Sequence, residues 1–154
     1  MTQTPFTVTM PTTRSTPVVF ASPHSGRDYS RAFRRASVLD ELALRSSEDA
    51  YIDDLFADAP RFGAPLICAT APRAYLDLNR GAEELDPALI SGVIRRGTNP
   101  RVSSGLGVIP RVVSGGRQIY RGKISYSEAQ TRLRGFWYPY HAELDRLLQG
   151  AHTL

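Results

Sequence analysis

Three observations in this 154-residue sequence predict an α/β fold. Two short runs, 17–21 and 64–69, are apolar at nearly every position, the pattern of strands covered on both faces rather than one. A segment with helical apolar spacing lies between them. A longer stretch carrying Leu133, Trp137, Tyr140, Leu144, Leu147 and Leu148 on one stripe follows later. Strand, helix and strand in that order favour layered α/β packing. The length is that of one domain, 1–154, able to bury an ordinary core.

Taken in order, residues 1–16 are rich in Thr and Pro and predict a loose lead-in. The first strand, 17–21, runs into Ser22-Pro23-His24-Ser25-Gly26, a tight turn that can hold His24 in one orientation. Phe33, Val38, Leu39, Leu42 and Leu44 predict one or two short helices over 29–45. Ser46-Ser47-Glu48-Asp49 has the composition of a helix start, hydroxyls followed by acids. Tyr51, Ile52, Leu55, Phe56 and Ala59 continue that helix until Pro60 and Gly63 end it. The second strand is 64–69, and 74–78 predicts a third, extended segment.

Glycine and proline punctuate 81–117 too often for long elements, which predicts a flap over the site, with short strands or turns near Val108-Ile109 and Gln118-Ile119-Tyr120. Ser127-Glu128-Ala129-Gln130 reads as a capping box. The helix it opens should run to Gln149, with Pro139 kinking it and Gly150 stopping it.

Bulk properties narrow the function classes. The net charge of +4 is almost wholly arginine, since Lys123 is the sole lysine. Arginines are scattered among acids with no basic block, which speaks against a nucleic-acid partner. Cys68 is the single cysteine and lies in an apolar run, so it reads as an inert core thiol. No segment reaches membrane-spanning length and no leader pattern is visible, so a cytoplasmic protein is the expectation.

Two groups of residues carry chemistry. A turn-held histidine, His24, together with an acid at a helix start, Glu48 or Asp49, can bind a divalent metal, for which zinc is suited. The plain alternative is a surface histidine and two helix-terminus charges. Asn79-Arg80 can grip a substrate carboxylate with parallel donors; the plain alternative is a salt bridge from Arg80 to Glu83 or Glu84.

Together these stretches resemble a known family. Ser22-Pro23-His24-Ser25-Gly26, the run from Glu48 to Phe56, Asp77-Leu78-Asn79-Arg80, the run from Gly105 to Arg111 and Pro139-Tyr140-His141 occur in the order found in N-formylglutamate amidohydrolases. The resemblance implies a three-layer α/β sandwich with a mixed, mostly parallel sheet, like the zinc carboxypeptidases. It implies a zinc-dependent enzyme that hydrolyses the formamide of N-formyl-glutamate, a small-molecule substrate, to glutamate and formate in histidine breakdown. His24 then corresponds to the first metal ligand and Asp49, with Glu48 a near alternative, to the acidic one. Asn79 and Arg80 match the pair that grips a carboxylate, and Arg73 matches a polariser of the scissile carbonyl.

Family members continue past the 137–148 helix into an Asp-x-His-Ser strand that supplies a third ligand, and then a general base. On this resemblance residues 1–154 are expected to be the N-terminal portion of such a domain, or a cut or degenerate member; His141, beside the apolar stripe of the last helix, reads as a residue that packs or supports the ligands. Hydrolysis of other N-acyl amino acids, or carboxylate binding without catalysis, are the alternative functions.

Overall fold

The computed structural model describes residues 4–94, 97 and 99–152. Residues 1–3 of the expected lead-in and 95, 96 and 98 of the expected flap lie outside the described residues. Three strands, β1 (Phe6–Thr9), β2 (Phe20–Ser22) and β3 (Leu66–Ala69), form one mixed sheet in the order β1-β3-β2. β3 is central and buried at all four positions, which explains its unbroken apolar sequence. It pairs in parallel with β2, setting Ala21 opposite Ile67, and antiparallel with β1, setting Val8 opposite Ile67. The fold is α/β, as predicted.

The lead-in expectation fails over residues 6–9. Phe6 and Val8 face the core while Thr7 and Thr9 turn outward, a strand of period two too short to stand out among the neighbouring threonines and prolines. The third expected strand, 74–78, is also corrected: this stretch is a series of turns. Its Asp77 N–H bonds to the Val108 carbonyl, but no strand ladder forms. Apolar composition alone cannot distinguish a buried turn from a buried strand.

Helices α1 (Arg31–Ala36) and α2 (Glu41–Arg45) occupy the predicted 29–45 region. Each is capped by the side chain before it: Ser30 accepts from the Phe33 N–H and Asp40 from the Ala43 N–H. The predicted 46–59 helix shrinks to one turn, α3 (Ile52–Leu55), followed by a 3₁₀ turn at Ala59–Phe62. The Asp49 N–H is committed to the His24 carbonyl, and Tyr51 adopts a left-handed φ of 63°, so no helix starts at Ser46.

The 81–117 segment contains a short helix, α4 (Pro100–Ser103), and a 3₁₀ turn at Ser114–Gly116. Leu89, Ile90, Val108, Ile109 and Val113 along it are fully buried, so much of the segment is core rather than flap. Only its later part, from Ser104 onward, walls the cavity described below.

The final helical stretch comprises α5 (Tyr126–Arg132), a π turn (Leu133–Trp137) and α6 (Tyr138–Ala151). The cap is Ser125, whose hydroxyl accepts from the Glu128 N–H, not Ser127 as expected. The predicted break at Pro139 takes the form of this π turn. Proline has no N–H to return to the carbonyl four residues back and its ring crowds that position, so the helix widens there. Gly150 does not stop α6, which continues through Ala151.

Candidate functional site

β2 delivers the chain directly into the His24 turn. The Ser22 hydroxyl donates to Ser25 Oγ at 2.6 Å, closing the turn, and His24 and Ser25 are both buried. Gly26 ends it against the backbone that follows β3. A Cβ at Gly26 would collide with the Ala71 carbonyl, so this close approach requires glycine.

The imidazole of His24 lies between two carboxylates. Nε2 is 2.7 Å from Asp77 Oδ1, and Nδ1 is 3.3 Å from Asp49 Oδ2. Asp77 is buried and densely partnered. Its Oδ1 also accepts the Asn79 N–H at 2.9 Å, and its Oδ2 accepts from Arg73 Nε at 3.1 Å, with Arg80 Nε 3.8 Å away. Burial pushes the Asp77 carboxyl up, but the His24 hydrogen bond and charge, Arg73 and the Asn79 N–H outweigh it. The carboxyl ends below its ordinary range.

With Nε2–H donated to Asp77, Nδ1 faces Asp49; protonated it donates to that carboxylate, and deprotonated it presents a lone pair beside it. Two acceptors at 3.3 Å need a proton or a cation between them. His24 Nδ1 and the half-exposed Asp49 carboxylate therefore fit two ligands of a divalent metal, with Asp77 orienting the ring. Among the described residues, no group of three or more His, Cys, Asp or Glu side chains is arranged to hold a metal ion.

Glu48 is drawn elsewhere. It accepts from the Tyr29 hydroxyl at 2.6 Å and from Arg45 Nε at 3.3 Å, and its side chain is buried. Of the two adjacent acids, Asp49 is the one beside His24.

Asp49, Asp77 and Arg73 open onto a cavity of about 460 Å³, lined also by Glu48, Leu106, Val112 and the Ser114–Gly116 turn. The structure thus brings Arg73 to the site together with His24 and Asp49. Asn79 is exposed and Arg80 largely buried, and neither lines this cavity. Arg80 pairs with Asp77 rather than with Glu83 or Glu84. His141 stacks on Trp137 at 4.0 Å and its Nε2 donates to the Leu78 carbonyl, so it packs rather than faces the cavity. Asp77 is the site residue that sequence reasoning left without a role. Its trace was an aspartate inside the apolar 74–78 run, since a buried acid needs partners.

Against known proteins, residues 16–154 match the family model of N-formylglutamate amidohydrolase. The chain belongs to the N-formylglutamate amidohydrolase family. It is similar to a solved structure of N-formylglutamate amidohydrolase from Ralstonia eutropha JMP134, with 35% identity and a TM-score of 0.89 over 98% of this chain. The match covers 54% of that structure's chain, so the present chain spans about half the length of this relative. No curated protein matches. Within this family the five sequence motifs fall on the elements just described: the His24 turn, the Asp49 turn, the Asp77 segment, the cavity wall and α6.

Proposed function

We propose that this amidohydrolase-family chain serves zinc-dependent hydrolysis of the formamide bond of N-formyl-L-glutamate, giving glutamate and formate. On this reading it acts in histidine degradation in the cytoplasm. The observation that carries the proposal is His24 held by Asp77 with Nδ1 turned to Asp49, where Asp49, Asp77 and Arg73 all line one cavity.

His24 and Asp49 would hold the metal, which when bound supplies a Lewis acid and lowers the pKa of a water molecule. Asp77 keeps Nε2 protonated, so that Nδ1 remains the ligating nitrogen. Arg73, fixed by Asp77 yet open to the cavity, would donate to the formyl oxygen as negative charge develops on it. Asn79 and Arg80 would grip a substrate carboxylate, which orients the formamide. That role requires the Arg80 guanidinium to turn from Asp77 toward the cavity.

The test uses the full chain, with zinc content and formate release measured together. One equivalent of zinc, formate release from N-formyl-L-glutamate, and loss of both in His24→Ala and Asp49→Ala are expected. Zinc-free protein that still binds glutamate would overturn the proposal in favour of a carboxylate-binding module. That second reading draws on the two-donor set seen among the described residues. Release of other acids from other N-acyl amino acids, without formate, would redirect the substrate.

A further inference from the structure

The segment that carries Asp77 has no strand partner, yet three of its backbone carbonyls are not left to water. Three side chains from the last helical stretch take them. Arg132 Nη1 donates to the Tyr75 carbonyl at 3.1 Å, His141 Nε2 to the Leu78 carbonyl at 2.9 Å and Trp137 Nε1 to the Arg80 carbonyl at 2.8 Å. These carbonyls lie two residues before Asp77 and one and three residues after it.

The π turn bears on this arrangement. Arg132 and Trp137 are five residues apart, which in an α-helix would point them about 140° away from each other. The wider turn at Leu133–Trp137 reduces that divergence, and both side chains reach the same segment. His141, one α-helical turn beyond Trp137, stacks on its ring and completes the row.

We propose that Arg132, Trp137 and His141 are positioning residues for the Asp77–His24 pair. They hold the backbone on both sides of Asp77, so that its carboxylate stays on His24 Nε2 and the ring keeps Nδ1 turned toward Asp49. The proposal rests on the reading of that pair as the orienting half of the metal site, which formate release and zinc content of the unaltered chain test separately.

The experiment is NMR on the ¹⁵N-labelled full chain, reading the pair whether or not turnover occurs. A His24 Nε2 proton held by a carboxylate gives a slowly exchanging resonance far downfield, assigned by its loss in Asp77→Asn. The Asn79 amide, which donates to the same carboxylate, reports its position by hydrogen exchange. Trp137→Phe with His141→Phe keeps two stacked rings and removes both donors. In this variant the downfield resonance should vanish and Asn79 exchange should rise on the order of tenfold, while Ile67 and Cys68 in β3 exchange as before. His141→Gln, which restores a donor, should retain both signatures, and the two single variants should show partial losses. An unchanged resonance and unchanged Asn79 exchange would overturn the proposal. So would exchange rising by the same factor in β3 as at Asn79, which marks general loosening.

Discussion

The two carboxylates that face His24 arrive on segments of opposite character. Asp77 sits in a turn-built stretch that is buried, with its side chain 3% exposed, surrounded by donors and backed by three side chains from the final helices. Asp49 sits in a surface turn, its side chain 51% exposed, tied through its backbone N–H to the His24 carbonyl. Two residues on, Tyr51 occupies the left-handed region, at an energetic cost that a non-glycine residue bears there. Neither segment is regular secondary structure, yet one is rigidly walled and the other open to the cavity. The contrast separates two places: the buried acid holds the imidazole, and the open acid faces the cavity where the proposed cation would bind.

The contrast is broken most severely from the buried side. Arg132 is 3% exposed; it donates to Tyr75 O, the Tyr120 hydroxyl and Glu128, and lies 4.2 Å over the Tyr75 ring. Arg132→Met takes this donor from the Tyr75 carbonyl and the buried Tyr120 hydroxyl and should cost about 3 kcal/mol in urea unfolding.

The matched pair Asp77→Asn and Asp49→Asn sharpens the comparison directly. Asp77→Asn removes charge-assisted hydrogen bonds to His24 and Arg73 and should cost about 2 kcal/mol. Asp49→Asn should stay within about 0.5 kcal/mol of the parent, because the group is half exposed, yet should lose metal retention. Equal stability losses in the two variants would erase the distinction.

A smaller effect comes from pH. The Cys68 thiol in β3 is pushed from its ordinary 9.0 up to about 11, first by burial and then by the charge of Asp53. The unfolded thiol ionises first, so the thiol's contribution to stability is full below pH 9 and is lost as pH rises toward 11. Urea midpoints across that window should fall in the parent and fall less in Cys68→Ala. Smallest of all, Tyr51→Asn should raise the melting temperature slightly, by a gain of about 0.5 kcal/mol, since asparagine tolerates positive φ.

Much of the fold was legible along the chain, and unevenly. The central strand at 64–69 was found because burial on both faces leaves an unbroken apolar run. β1 was missed because four alternating residues, Phe6 to Thr9, carry too little pattern beside prolines and threonines. The alternating apolar residues at 74–78 predict a strand, but the Tyr75 and Leu78 carbonyls are taken by side chains of the final helices. The capping-box pattern at Ser127 has a neighbour in Ser125, which has an acid three residues on. Only the fixed backbone shows which hydroxyl meets an open N–H.

Sequence alone determined the family, the chemistry-bearing residue types and the α/β class, because motifs and apolar runs are local properties of the chain. Tertiary structure decided that Asp77, not Glu48, shares His24 with Asp49, and that Arg73 rather than Asn79 lines the cavity. Those outcomes depend on which distant segments pack together, and a buried imidazole takes whichever carboxylates the surrounding backbone can bring within hydrogen-bond reach.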